Sequence, residues 1–161
     1  MRFEKIEFDL FKKDMSGFAL DPDAVRRAYD SIQLPERATE FSAGYDFYSP
    51  LKFYLPAGAS IVIPSGIRSV FKEAEKPLYH IKLYIRSSIG INDHIILTHG
   101  TGVIDPDYME GIKIPLLNLG SVGKRFEVGD RIIQGIIERY RTVDNDHSGG
   151  IRRGGIGSTG K

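Results

Sequence analysis

The sequence predicts an all-β protein of the sandwich, jelly-roll or barrel type, with one short helix ahead of most of its strands. From residue 41 onward, apolar runs of strand length are separated by Gly, Pro and Asn, a pattern typical of many short strands joined by turns. In the run Leu78–Ile85, the side chains of Ile81, Leu83 and Ile85 share one face, which is the period of a half-buried strand. Together these observations predict a protein built from packed β-sheets.

Each predicted element has a local reason. Residues 2–8 alternate loosely between polar and apolar side chains and predict a first strand. A helix is predicted over residues 21–32, because Asp21 is an N-cap acid, Pro22 follows at the first helical position, and apolar residues then recur at helical spacing. The strands predicted further along the chain are Ser60–Ile63, Leu78–Ile85, His94–Leu97, Ile112–Leu119 and Arg131–Arg139.

Length and composition predict a single domain. A chain of 161 residues is suited to one core. We divide it into an N-terminal strand with a helical insert (1–40), a β core (41–147) and a C-terminal arm (148–161). The arm is rich in glycine and basic residues and poor in apolar ones, so we expect it to be mobile in isolation.

The composition also argues against several classes of function. No apolar run approaches the roughly 20 residues of a membrane helix, and the acidic, mixed start of the chain does not resemble a signal peptide. A formal net charge of +1 gives little attraction for long nucleic acid. There is no cysteine, and the four histidines lack zinc-ligand spacing. We therefore expect a protein of the cytoplasm, or of the host-cell interior if it is viral, with no protein-bound zinc.

Five stretches place chemically active side chains beside turn residues. They are Ala43–Phe47 around Asp46, Arg86-Ser87-Ser88, Gly102–Tyr108 around Asp105, Gly129–Gln134, and the arm Ser148–Lys161. A guanidinium beside two hydroxyls is suited to phosphate oxygens. Taken singly, each stretch has a structural explanation: a strand-start turn, a solvated strand end, a hairpin tip, a turn closed by an Asp130–Arg131 pair, and disorder.

In their order along residues 43–160, these five stretches resemble the five motifs of the trimeric dUTPases, the enzymes that convert dUTP to dUMP and pyrophosphate. The resemblance implies a jelly-roll-like fold and a homotrimer whose active sites are shared between subunits. It also implies hydrolysis by water attack on the α-phosphorus, which limits uracil incorporation into DNA and supplies dUMP. Mg²⁺ is the implied cofactor, held mainly by the triphosphate and water, so that no protein metal ligands are expected.

The resemblance assigns roles to individual residues. Asp105 is the implied base that orients and deprotonates water, with Asp46 in a supporting role. Tyr108 is expected to lie against the deoxyribose and to leave no room for a 2′-hydroxyl. The backbone of Gly100, Thr101 and Gly102 is expected to read uracil. The remaining implied substrate contacts are Arg86, Ser87, Ser88, Gln134, Arg152, Arg153, Ile156, Gly157, Ser158 and Thr159.

The sequence departs from the family pattern in the arm and at Ser88. Ile156 stands where the family has a phenylalanine over uracil, Arg152 and Arg153 lie closer to it than usual, and Ser88 replaces the commoner glycine. Either arginine can be the one that meets the γ-phosphate.

Two other functions remain as alternatives. A dCTP deaminase of the same fold also has an Arg-Ser-Ser motif. That enzyme requires a glutamate on the strand after the substrate hairpin and a further arginine after the motif, and residues 114–118 and 89–91 contain neither. The second alternative is a regulatory binding module on a dUTPase scaffold, which the helical insert at residues 21–32 suggests.

Overall fold

Antiparallel strands form most of the regular structure. A computed structural model describes residues 1–150, 152 and 154 of the protein. Within those residues the strands are β1 Arg2–Lys5, β2 Glu36–Arg37, β3 Gly44–Tyr48, β4 Phe53–Leu55, β5 Ser60–Pro64, β6 Ile67–Val70, β7 Tyr79–Ile85, β8 Ile95–Leu97, β9 Gly102–Ile104, β10 Lys113–Asn118, β11 Lys124–Phe126 and β12 Arg131–Arg139. The helices are α1 Phe8–Asp14, α2 Pro22–Asp30 and α3 Ser87–Asn92, and a 3-10 turn covers Met15–Gly17. No helix in the described ranges is long and apolar enough to cross a membrane.

The all-β prediction and its main strands are confirmed. All five strands predicted from residue 60 onward are present, with ends displaced by at most one residue. The predicted helix is α2, whose N-cap Asp21 accepts a hydrogen bond from the Ala24 N–H at 2.7 Å. These segments were predictable because a buried face imposes a repeat that is readable along the chain.

The predicted first strand is wrong beyond Lys5. The backbone turns into α1 at Phe8, because Phe11 and Met15 lie on the inner face of this segment and are almost fully buried. Packing of a helical face against the sheets therefore overrides the loose alternation of the sequence. The strands that were not predicted are the short ones, from two to five residues long, and they depend on partners distant in sequence.

The largest sheet has the strand order β2-β3-β12-β7-β9. Its longest ladder pairs residues 133–139 of β12 with residues 79–85 of β7. Ile81 and Leu83 on one face are buried in the core. Asp46, Gln134 and Tyr84 are directly opposite one another on β3, β12 and β7, so their side chains form a polar row on the other face.

The smaller sheets complete the layers around the same core. A three-stranded sheet has the order β5-β10-β8, and β1 pairs with β6 while β4 pairs with β11. The core cluster runs from Ile6 near the N-terminus to Ile133 on β12. The N-terminal segment therefore contributes to the main core and does not pack as a separate appendage.

Asn118 is a buried polar side chain at the end of β10. Its Nδ2 donates to the carbonyl oxygens of Leu55 at 3.1 Å and Val122 at 2.9 Å, and its Oδ1 accepts from the Gly120 N–H at 2.9 Å. Since the residue is 0% exposed, these three bonds replace hydration that folding removes. Asn118 therefore fixes the loop that joins β10 to β11.

We expect Asn118→Ala to lower the free energy of unfolding by about 2–4 kcal/mol, because it leaves two buried carbonyls and one N–H without their partner. Urea unfolding followed by circular dichroism measures the change. Asn92→Ala, at an exposed position, is the matched control and should change stability by less than about 0.5 kcal/mol. Equal losses in the two variants would contradict the role assigned to Asn118.

Candidate active site

Arg86 stands at the end of β7, where the backbone enters α3. Its Nη1 donates to Asp46 Oδ1, and the other carboxylate oxygen of Asp46 accepts from Arg131 Nη1 at 3.3 Å. Asp46 is only 4% exposed, so its charge is buried and is compensated by two guanidinium groups. Ser87 and Ser88 form the first turn of α3 directly beside this group.

Gln134 lies beside the Asp46–Arg86 pair on β12. A methyl group added at Gly44 would be 2.3 Å from Gln134 Oε1, so the glycine of the first motif makes room for this amide. The Asp130–Arg131 pair considered from sequence is not found. Asp130 instead accepts from the Glu127 N–H at 2.8 Å and closes the turn through the backbone, while Arg131 points to Asp46.

The turn between β8 and β9 contains the stretch Gly100-Thr101-Gly102. Gly100 has a φ of 73°, which only glycine adopts readily, and its N–H donates to the Leu97 carbonyl at 2.9 Å. The Thr101 N–H donates to the His99 carbonyl at 2.9 Å. Two of the three N–H groups in this stretch are thus used within the turn. The imidazole of His99 lies over Gly102, where a methyl group would approach it to 3.0 Å.

Asp105 follows β9 and forms an ion pair with an arginine of the C-terminal arm. Arg152 Nη2 contacts Asp105 Oδ2, and Arg152 Nε donates to Asp107 Oδ1 at 2.9 Å. The Asp107 hydrogen bond is the main reason that the pKa of Arg152 is raised. The guanidinium carbon also lies 5.9 Å from the centre of the Tyr108 ring. One arm residue therefore touches three residues of the third motif.

Tyr108 is buried against the turn that follows Asp105. Its hydroxyl donates to the Gly111 carbonyl at 3.0 Å, and its side chain belongs to the core cluster. Burial, assisted by the negative charges of Glu110 and Asp14, raises the pKa of Tyr108 to about 12. The ring is therefore held in one position by packing and by its hydroxyl.

The Asp105 group and the Arg86 group occupy different cavities of this chain. Asp105, Asp107 and Arg152 line a cavity of about 650 Å³, whereas Arg86, Ser88 and Arg131 line another of about 250 Å³. Ile104 is opposite Ile81 in the β7–β9 ladder. Asp105 therefore lies beside the start of β7, whereas Arg86 follows the end of β7. At about 3.3 Å per residue, their backbones are roughly 20 Å apart.

Several residues around these cavities were not found from the sequence. Lys76, His80 and Tyr140 line the Asp105 cavity, and Lys124 lines the Arg86 cavity. Nδ1 of His80 is buried and has no hydrogen-bond partner within the described residues. The alternation along β7 predicts that His80 lies on the face opposite Ile81. Its position beside Asp105 depends on the β7–β9 register, which the sequence does not show. Of the predicted contacts in the arm, Arg153, Ile156, Gly157, Ser158 and Thr159 lie outside the described residues.

Acidic side chains that a divalent cation could use are paired with arginines in this chain. Asp46 is shared by Arg86 and Arg131, and Asp105 is held by Arg152. Across residues 1–150, 152 and 154, no group of three or more His, Asp or Glu side chains is arranged to hold a metal ion.

Comparison with known proteins agrees with this geometry. The dUTPase family model matches residues 30–160. The chain belongs to the dUTPase family. A deoxyuridine 5′-triphosphate nucleotidohydrolase from Rickettsia massiliae is 34% identical over 137 residues, which are 81% of this chain and 90% of the relative. The dUTPase resemblance of the motifs is therefore confirmed, and with it membership of an enzyme family.

Solved structures of dUTPases share the fold. The crystal structure of dUTPase from Streptococcus mutans has a TM-score of 0.66 and 23% identity, with 90% of this chain and all of that chain covered (100%). An Asp-to-Asn mutant of the dUTPase from a phage of S. aureus, whose structure describes coordination of a structural Mg(II) ion, has a TM-score of 0.63 and 20% identity, covering 74% of this chain and 91% of the other. The jelly-roll-like dUTPase fold is thus confirmed.

The buried Tyr108 hydroxyl predicts a stability change at high pH. Its pKa of about 12 in the folded protein exceeds the value of about 10 in an unfolded chain. The neutral phenol is favoured by folding, so its contribution is present below pH 10 and is lost as the pH rises towards 12. We expect the wild type to lose about 1 kcal/mol more than Tyr108→Phe between pH 9 and pH 11, measured by urea unfolding at pH 9, 10 and 11. Tyr54→Phe, at a tyrosine that is 52% exposed, should behave as the wild type, and a Tyr108→Phe curve parallel to the wild type would refute the assignment.

Proposed function

We propose that this dUTPase-family chain hydrolyses dUTP to dUMP and pyrophosphate, by attack on the α-phosphorus of a water that Asp105 orients and deprotonates. The observation that supports this reaction best is the position of Asp105, which follows β9 and lies between the glycine turn at residues 100–102 and the buried ring of Tyr108. The proposed general base is therefore close in sequence to the backbone proposed to bind uracil and to the ring proposed to contact the sugar. Positioning of this kind lowers the barrier by fixing the attacking water near the phosphorus.

The phosphates are proposed to bind at the Arg86 cavity. The proposed donors are a guanidinium, two hydroxyls and an amide near the end of β7 and on the neighbouring β12, from Arg86, Ser87, Ser88 and Gln134. Asp46 takes one Nη of Arg86 and leaves its other N–H donors for the substrate, so its supporting role is to orient the fork. Donors that are already oriented stabilise the charge that develops on the phosphoryl oxygens.

Substrate selection is proposed to come from the residues around Asp105. The backbone of Gly100, Thr101 and Gly102 would read the uracil edge, and cytosine, with the opposite donor and acceptor pattern, would leave buried groups unpaired. The Gly100 and Thr101 N–H groups are bonded inside the turn, so either of them would donate to the uracil only after its turn bond opens. Tyr108 would lie against the deoxyribose and exclude a 2′-hydroxyl.

Mg²⁺ is proposed to arrive with the nucleotide, held by phosphate oxygens and water. When bound, it supplies neutralisation of the triphosphate charge. The paired state of Asp46 and Asp105 with arginines supports this mode over a metal cage built from protein side chains. The protein residues then have the separate tasks of binding the phosphates and orienting the water.

A homotrimer with shared active sites is proposed from the separation within one chain. Asp105 lies beside the start of β7 and Arg86 follows its end, and the two side chains line different cavities. A site that joins the base of one subunit to the phosphate donors of its neighbour brings both groups to one nucleotide. Closed cyclic symmetry then gives every subunit one complete site.

The arm is proposed to act as a lid, with Arg152, Arg153, Ile156, Gly157, Ser158 and Thr159 closing over the nucleotide. Arg152 pairs with Asp105 and Asp107. Substrate phosphates would compete for the same guanidinium and so draw it away from the base. The proposed location is the cytoplasm, where deoxynucleotides are handled.

Substrate profiling tests the function directly. With Mg²⁺, we expect pyrophosphate to be released from dUTP at least about 100-fold faster, as kcat/KM, than from dCTP, dTTP or UTP. The assay couples pyrophosphate release to a colorimetric readout and runs beside Asp105→Asn, which should bind dUTP but lose turnover by orders of magnitude. Release of ammonia from dCTP would favour the deaminase, and equal rates on all four nucleotides would exclude uracil selection.

Mixing two inactive variants tests the shared site. Asp105→Asn and Arg86→Gln each lose activity, but random co-assembly at a 1:1 ratio places an intact Asp105 opposite an intact Arg86 in about one quarter of all sites. We therefore expect co-refolded mixtures at a 1:1 ratio to recover about one quarter of wild-type activity. Mixtures that remain as inactive as the separate variants would show that both residues act from the same chain.

A further inference from the structure

The N-terminal residues lie outside the region that defines the family, yet they contact the active-site turn. The dUTPase family model begins at residue 30, so β1 and α1 precede it. We call β1 and α1 together, residues 2–14, the N-terminal brace. Ile6 and Phe11 of the brace are 0% exposed and belong to the main core. The brace is therefore an integral part of the fold.

The brace ends at Asp14, directly against Gly111. Asp14 Oδ1 pairs with Lys113 Nζ at 3.0 Å, and the Asp14 side chain is 9% exposed. Asp14 Oδ2 is buried and has no hydrogen-bond partner among the described residues. A methyl group added at Gly111 would lie 3.0 Å from this oxygen and 2.9 Å from Cδ1 of Ile6. A side chain at position 111 would therefore require Ile6 or Asp14 to move.

Gly111 in turn fixes the ring of Tyr108. The Gly111 carbonyl accepts a hydrogen bond from the Tyr108 hydroxyl at 3.0 Å, and the two residues are three positions apart in the chain. The negative charge of Asp14 contributes to the raised pKa of Tyr108, so the carboxylate is close enough to act on the phenol electrostatically. The contacts thus run without interruption from Asp14 through Gly111 to Tyr108.

A second set of contacts holds the same turn from the β1 side. β1 pairs with β6 along its whole length, and the Ile6 N–H donates to the Gly66 carbonyl at 3.0 Å. The Ile112 N–H donates to the carbonyl of Ile67 on β6 at 2.8 Å. Ile112 is therefore hydrogen-bonded to β6, the strand that pairs with β1 of the brace. This bond restrains the turn from moving away from Asp14.

We propose that Asp14 of the N-terminal brace is a positioning residue that fixes Gly111, and through it the Tyr108 ring, and thereby sets the discrimination between deoxyribonucleotides and ribonucleotides. This inference rests on the proposed function, in which Tyr108 lies against the sugar. A wall that excludes one hydroxyl group discriminates only while it cannot move by the size of that group. The brace supplies that rigidity from outside the family region.

Variants at both ends of the contact test the proposal. Asp14→Ala removes the carboxylate, and Gly111→Ala inserts a methyl group between the turn and the brace. For both we expect the ratio of kcat/KM for dUTP to that for UTP to fall about tenfold, with kcat for dUTP within about twofold of wild type, since the base and the phosphate donors are untouched. Asp14→Asn keeps the shape and the acceptor for Lys113 and should recover most of the ratio.

Asp30→Ala is the matched control, because Asp30 forms an exposed ion pair with Arg26 on α2 and should leave the ratio unchanged. A purely structural role for Asp14 would lower the rates on both nucleotides equally and overturn the proposal. So would a wild-type ratio retained by both test variants.

Hydrogen exchange provides a readout that is independent of activity. If Asp14 positions the turn, amides of residues 105–112 should exchange faster in Asp14→Ala than in the wild type and Asp30→Ala, and Asp14→Asn should lie close to the wild type. Unchanged exchange in Asp14→Ala would refute the positioning role. A wild type that does not hydrolyse dUTP would instead refute the proposed function, and the exchange data would still decide whether Asp14 holds the turn.

Discussion

The pairing of β7 with β12 is the interaction on which the rest of the structure depends. Residues 79–85 and 133–139 form an uninterrupted antiparallel ladder, and each strand then accepts a further neighbour, β9 on one side and β3 on the other. Because opposed side chains share a face, this register buries Ile81 and Leu83 and sets Asp46, Gln134 and Tyr84 in one polar row. It also fixes Arg86 and Asp105 near opposite ends of β7, and the proposed shared site rests on this separation.

Arginines compensate the carboxylates of both candidate cavities. Asp46 is held between Arg86 and Arg131, and Asp105 with Asp107 by Arg152. A buried carboxylate without a partner is costly, so the two arginines stabilise the charge of Asp46, whereas Asp105 and Asp107 are about half exposed. In the proposed function the triphosphate contacts the same arginines, and Arg86 keeps one Nη on Asp46 while its other N–H groups are directed at the phosphates.

The N-terminal segment shows how an element outside the family region becomes part of the fold. Phe11 of α1 and Met15 just after it are buried in the core, and Asp14 at the end of α1 is packed close to Gly111. The alternating residues 2–8 predicted a strand because their pattern is local, whereas the helix from Phe8 forms because it buries those two side chains. The Asp14 contact was invisible to sequence reasoning for a similar reason, since about 97 residues separate it from Gly111.

The sequence by itself determined the all-β class, the five strands predicted from residue 60 onward, helix α2 and the family, because periodic burial and ordered motifs are written in consecutive residues. It also placed Asp105, Arg86 and Tyr108 among the candidates. Only the tertiary structure decided the short strands, the pairing of Arg131 with Asp46 in place of Asp130, the approach of Arg152 to Asp105, and the presence of His80 beside the same cavity. Each of these depends on strand register, which follows from the packing of the whole core and has no signature in any short stretch of chain.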